Sequence, residues 1–224
     1  TIPVGVVFKG EVCMTISFHK TEMLTDFVTY TKRKNINIKD NFDLVLKLLL
    51  SSSVWFLKYL KQVNQKIKLA EDNLEKSIKN EELQALLQIE KCLVFFMTSL
   101  KGNDILLHRI KNIKSQKEHF DLDLLEDVEI ELRQAQETTN IYSDILTGTM
   151  DAYASVISNN MNTIMKQMTS ISIILMIPTL IASLYGMNVP NDLEDNRYGI
   201  WIVISVSVLL SAFGVFLFKR KRWF

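Results

Sequence analysis

From Gln167 to Val189 the sequence carries no charged residue, and beyond a short polar loop a second apolar run extends from Tyr198 to Phe218. Each run is close to the roughly 20 residues that a helix needs to cross a bilayer. Nothing else in the chain narrows the possible folds as much. The pair reads as a transmembrane hairpin, with 166–187 as the first crossing and 199–218 as the second. Lys219, Arg220, Lys221 and Arg222 follow the second run directly. The positive-inside rule therefore sets this basic tail, 219–224, in the cytosol. An even number of crossings puts everything before the hairpin there too. The loop 188–198 faces outside and holds Asp192, Glu194 and Asp195 against Arg197, an acidic patch that concentrates cations. Tyr185, Tyr198, Trp201 and Trp223 stand at the run ends, as interfacial aromatics do. Pro178 removes the helical donor of the Ile174 carbonyl and predicts a modest kink.

The part before Lys166 is dense in charges of both signs, yet the whole chain has a formal net charge of +1, which argues against a nucleic-acid partner. Cys13 and Cys92 are far apart and lack metal-ligand spacing, so they read as free cytosolic thiols. His19, His108 and His119 are equally isolated, and no nucleophile–base pair can be assembled from neighbouring positions. The chain opens without Met in a strand-like segment and reads as a fragment lacking an N-terminal portion. Ile2–Phe8 and Glu11–Phe18 flank Lys9-Gly10 and predict a β-hairpin with a two-residue turn. One hairpin is marginal alone in water, so it calls for further strands. Thr21–Lys34, Asp40–Asn80 and Glu81–Leu100 have helical spacing, with a break expected at Gly102-Asn103 before Ile105–Ile113 resumes.

From Phe120 onward, heptads run through Leu125, Leu132, Thr139, Leu146, Tyr153 and Asn160, and through Val128, Ala135, Tyr142, Thr149, Val156 and Thr163. A pattern this long predicts a stalk helix over 120–165, packed lengthwise against others and continuous with the first crossing. A second stripe shares this rod. Asp151, Ser155, Ser158, Asn162, Met165, Met168, Ser172, Met176, Thr179 and Ser183 follow steps of three and four and lead to Asn188, so they share one face. Polar groups at membrane depth face a bundle interior or a watery path. Small-residue helix packing explains the Ser and Thr residues taken alone. The lead-in from Asp151 and Asn162, and the ending at Asn188, favour a pore.

Gly186-Met187-Asn188 stands where the first crossing reaches the far interface. Magnesium dehydrates reluctantly, so a site that exchanges it quickly binds the hydrated ion. A carboxamide and backbone carbonyls accept hydrogen bonds from ion-bound waters without trapping the ion, and glycine permits the bend that turns carbonyls inward. One copy makes no ring, so several copies must meet around an axis.

Tyr185-Gly-Met-Asn188, the positions Tyr153–Ser158, Asn162, Met165-Lys166, Met176 and Thr179, and the basic end Lys221-Arg-Trp-Phe224 resemble the CorA family of divalent-cation channels. The resemblance implies a mainly α membrane protein, a homopentamer in a cell membrane, that of a prokaryotic inner membrane. Residues 1–119 resemble the later part of a cytosolic α/β funnel domain. It further implies that Gly186, Met187 and Asn188 form the selectivity filter and that Asn162, Met165, Met168, Met176 and Thr179 line the path, with the methionines as its constriction. Asp151 would stand in the cytosolic neck, and Asp127 resembles an acidic residue that senses internal divalent ions. The implied cargo is Mg2+, with Co2+ or Ni2+ beside it and no bound cofactor. The chain departs from the family pattern in its outer loop, Val189-Pro-Asn-Asp192, where relatives often have Met-Pro-Glu, and in a pore-helix proline displaced by one residue. Two other readings remain: zinc (Zn2+) transport as in the related ZntB branch, and a membrane-anchored coiled-coil scaffold. No Gly-rich phosphate loop is present to support ATP-driven pumping.

Overall fold

A computed structural model describes residues 1–10, 12–76, 80–114, 121–187 and 197–221. The outer loop with Asn188, the acids Asp192, Glu194 and Asp195, and the end of the basic tail lie outside the described residues. So do Glu11, His119 and Phe120. The elements run β1 (Val4–Lys9), β2 (Val12–Ser17), α1 (Glu22–Lys34), α2 (Asn41–Lys76), α3 (Asn80–Lys114), α4 (Leu122–Tyr185) and α5 (Gly199–Arg220). Two compact units divide at Asp151, so α4 contributes to both.

In the first unit, β1 and β2 pair antiparallel with Lys9 opposite Val12. The turn therefore comes one residue later than the sequence suggested, at Gly10, whose φ of 62° is open to glycine. Thr21 caps α1 by accepting from the Leu24 N–H at 3.2 Å. Asn35 ends the helix in the left-handed region, and the Ile36 N–H bonds the Thr31 carbonyl at 3.1 Å, closing the end that free carbonyls leave open. The indole N–H of Trp55 on α2 donates to Asp26 at 3.2 Å and fastens α1.

The core is the seam of α2, α3 and α4: Leu46 and Leu49, Leu100, Leu107 and Ile110, then Leu125, Val128, Leu132 and Ala135. Those four α4 residues, with Thr139 and Leu146, are stalk heptad positions and are buried, while the heptad positions Tyr142 and Thr149 are half-buried. Thr139 donates its hydroxyl to the Ala135 carbonyl at 2.7 Å, which lets it sit in an apolar seam. Beyond Leu146 the same heptads reach Val156, which is exposed in the single chain.

The expected break at Gly102-Asn103 does not occur: α3 runs through it. A mid-helix glycine costs about 1 kcal/mol relative to alanine, less than burial of Leu100 and Leu107 on either side supplies. Asn103 also faces Ser52 at 3.5 Å, across from α2.

Two helix starts meet in an ionic cluster. Asp40 caps α2 by accepting from the Asp43 N–H at 2.8 Å, and Asp121 caps α4 by accepting from the Leu124 N–H at 3.2 Å. Lys39 bonds Asp121 at 2.9 Å, while buried Asp43 holds Lys47 at 2.7 Å. The hydrogen bond to Asp121 raises the pKa of Lys39 above its ordinary value. That of Asp121 is lowered, first by Lys39 and then by the Leu124 N–H. A depressed carboxyl pKa contributes stability above the unfolded value and loses it as pH falls through the folded one. For Asp121 the window closes on the acid side of 3.8. The raised pKa of Lys39 keeps its own contribution intact through neutral pH, to be lost only in alkali above 10.5. Asp121→Asn keeps a capping oxygen and removes the charge. We expect it to lower the melting temperature at neutral pH, with the difference from the parent vanishing in acid once Asp121 is protonated, as a pH series of melts would show. A constant difference at every pH would mean that the cap alone matters.

In the second unit, the rest of α4 is followed by α5. Among the described residues three helices, α3, α4 and α5, are long and apolar enough to cross a membrane by length and composition. The case of α3 differs from the others, because its Leu86, Leu93, Leu100 and Leu107 are buried in the first unit.

Candidate functional site

Within the second unit, α4 has two unlike sides. Ser170 is buried, and Ile174, Ile177, Pro178 and Ile181 are half-buried. This side meets α5 at Gly214, where an added Cβ would lie 3.6 Å from Ile177 Cδ1 and 3.7 Å from Ile174 Cγ1. Small residues of this kind let membrane helices approach. Pro178, Ile181, Ser207 and Ser211 line a crevice of about 550 Å³ along the same seam. The sequence showed none of this packing face, because in a run that is apolar all round the helical period of hydropathy fades. The one available signal was the small-residue spacing Ser207, Ser211 and Gly214.

The predicted stripe lies on the other side. At about 100° per residue, Met165, Met168, Ser172, Met176, Thr179 and Ser183 cluster opposite the α5-facing side. In the single chain Met165, Met168 and Met176 are 60%, 66% and 68% exposed, and Ser172, Thr179 and Ser183 are exposed too. Ser172 donates to the Met168 carbonyl at 2.9 Å and Thr179 to the Leu175 carbonyl at 3.1 Å. These hydroxyl protons are satisfied inside the helix, so each oxygen presents its lone pairs outward as an acceptor. A ring of such acceptors suits the hydrogens of a hydrated cation.

Below this stretch, Asn162 and Asp151 are exposed on α4, as is Asp127 in its first turns. The Gly186 N–H bonds the Ala182 carbonyl at 2.9 Å, so the helical hydrogen-bond pattern extends one residue past the end of α4, to Gly186. A Cβ on Gly186 would stand 3.2 Å from that same carbonyl oxygen, a tight approach that favours glycine. Met187 is exposed. Asn188 itself lies outside the described residues. Among the described residues no cluster of three or more His, Cys, Asp or Glu side chains could hold a metal ion.

The sequence model of the CorA-like Mg2+ transporter protein family matches residues 1–220. The chain belongs to the CorA family. One CorA relative is the cobalt/magnesium transport protein CorA of Methanocaldococcus jannaschii. It is 26% identical over 233 residues, taking in 100% of this chain and 72% of the relative. The protein of the same name from Thermotoga maritima is 27% identical over 166 residues, covering 73% of this chain. The match spans 47% of that relative, so about half its length is compared. The complete structure of the CorA magnesium transporter from M. jannaschii aligns over 100% of this chain and 76% of its own, with a TM-score of 0.76 at 22% identity. At that identity the likeness establishes a shared CorA fold.

Proposed function

We propose that the chain forms a passive channel for divalent cations, chiefly Mg2+ and with Co2+ or Ni2+ as further cargo, driven by membrane potential. The observation that carries this reading is the two-sidedness of α4. Its α5-facing side is already packed, while the stripe from Met165 to Ser183 is left for other copies to meet. Family membership and the names of the relatives support Mg2+ and Co2+ as cargo. Five copies around an axis, in a cell membrane with both termini cytosolic, give one α4 per subunit to the wall of the pore. Asn188 and the Gly186 and Met187 backbone then ring a hydrated ion at the outer mouth. Thr179, Ser172 and Ser183 supply acceptors below it. Met176, Met168 and Met165 form the apolar constriction, and Asn162 and Asp151 receive the ion on the cytosolic side.

Purified full-length protein in liposomes tests the cargo. Mg2+ uptake that follows an imposed inside-negative potential, well above Zn2+ uptake, is the expected result. Zinc flux without magnesium flux would move the chain to the ZntB-like alternative, and no flux of either would favour the scaffold.

Asp127 is proposed as part of the divalent-ion sensor that closes the pore when cytosolic Mg2+ is plentiful. Asp127→Lys should shift inhibition by internal Mg2+ to higher concentration. Unchanged inhibition removes this residue from the gating scheme.

A further inference from the structure

Two helices of the first unit leave long faces uncovered, and the faces are complementary. On α3, Leu87, Lys91, Val94, Ile105 and Arg109 share one exposed face, with Lys101 at its border. It carries no carboxylate, and Leu87, Val94 and Ile105 are all exposed. On α4, the uncovered face has Ile130, Ile141 and Ile145, again exposed, interleaved with Asp127, Glu137 and Asp144. Arg133 is the single base beside it. One face is apolar and basic, the other apolar and acidic.

Their heights also match. Lys111 Nζ bonds Glu129 Oε1 at 2.8 Å, and Gln136 donates to the Leu100 carbonyl at 3.4 Å. Within one copy α3 and α4 therefore run antiparallel in a defined register. Carried along both helices at about 1.5 Å per residue, that register sets Lys101 level with Glu137, and Lys91 within a turn of Asp144. Both pairs sit on faces that point away from the shared core. A cyclic rotation about an axis along α4 moves a neighbouring copy sideways and leaves every height unchanged. The neighbour's Lys101 and Lys91 then arrive at the levels of Glu137 and Asp144.

We propose that the basic strip of α3 in one copy docks on the acidic isoleucine strip of α4 in the next, making a head-to-tail interface that closes into a ring. This rests on the oligomeric pore proposed above. Two α4 strips set against each other along this stretch would oppose Asp to Asp and Glu to Glu, which costs affinity. The α3 strip removes that conflict and covers the isoleucines as well. Heterologous contacts of this kind form rings when the rotation closes. The apolar contacts supply most of the attraction, and the charges choose the partner and fix the register.

Full-length protein in detergent, with Cys13→Ser and Cys92→Ser, provides the test. Lys91→Cys and Asp144→Cys are introduced together and treated with a short bis-maleimide. The expected product on a denaturing gel is a ladder of linked chains up to the complete ring, absent from either single-cysteine protein. Light scattering on the untreated sample separates the failures. An oligomer that gives no ladder, or only links within one chain, overturns this interface and leaves the pore standing; a monomer overturns both. In a second arm, Lys101→Glu should reduce the oligomer fraction severalfold on dilution, and adding Glu137→Lys should restore it. Failure of the restored pair to reassemble counts against the docking.

Discussion

Asn188→Ala is expected to abolish Mg2+ flux, or reduce it at least a hundredfold, while leaving the oligomer intact. The size of the effect follows from symmetry. In the proposed pore one substitution in the gene would remove a carboxamide from every subunit, so the ion would lose the whole ring at once. Each carboxamide there would contribute a hydrogen bond to an ion-bound water, and a bond involving a charged partner is worth about 1.5–3 kcal/mol. Loss of two such bonds is sufficient for a hundredfold drop in occupancy, since about 1.4 kcal/mol corresponds to a factor of ten. Asn188→Asp offers a contrast. A ring of carboxylates would hold the divalent ion more tightly and slow its release, because conduction needs binding weak enough to let the ion leave. Reduced flux with increased ion affinity is expected for that variant. The measurement is Mg2+ uptake into liposomes beside a mass determination of the assembly. Normal flux through an intact Asn188→Ala oligomer would remove the outer ring from the mechanism.

The rod and its seam were legible from the sequence because their signal is periodic. Leu125, Leu132 and Leu146, with Val128 and Ala135, recur in heptads and are buried in the structure. The mainly helical character and the CorA resemblance could be read in the same way, the latter from Tyr185-Gly-Met-Asn188. Other features had no local signal. Lys39 and Asp121 are far apart in sequence and meet only when α2 and α4 pack. The continuity of α3 through Gly102 runs against the local glycine signal, and the burial of Leu100 and Leu107 that overrides it exists only in the packed seam. Ser170 faces the packed side of α4, yet its residue type is indistinguishable from Ser172 on the open side. The two differ in where α5 lies, and that is a tertiary fact. That the stripe residues share one side of α4 was thus readable, while what covers the opposite side was not.

This difference between sides makes a second strong prediction. Cysteine at Thr179 should react with a membrane-impermeant cationic thiol reagent, and the reaction should stop most of the flux. Thr179 is exposed on the side of α4 away from α5, and a positive group tethered in a narrow cation path repels every ion that follows. Ile171 and Leu184 are also exposed in the single chain, at 49% and 61%. They lie off the stripe by the helical angle of about 100° per residue. In the proposed ring these two meet lipid or neighbouring helices, so cysteine there should stay unmodified and flux should continue. Exposure in the isolated chain cannot separate the three positions, because all are open to solvent before other copies and lipid are added. Only the assembly can. Labelling at 171 and 184 with protection at 179 would turn the helix around and place the methionines in lipid. Labelling at 179 alone would fix the side of α4 that borders water, since a charged reagent reaches a thiol at membrane depth only where a watery path leads to it.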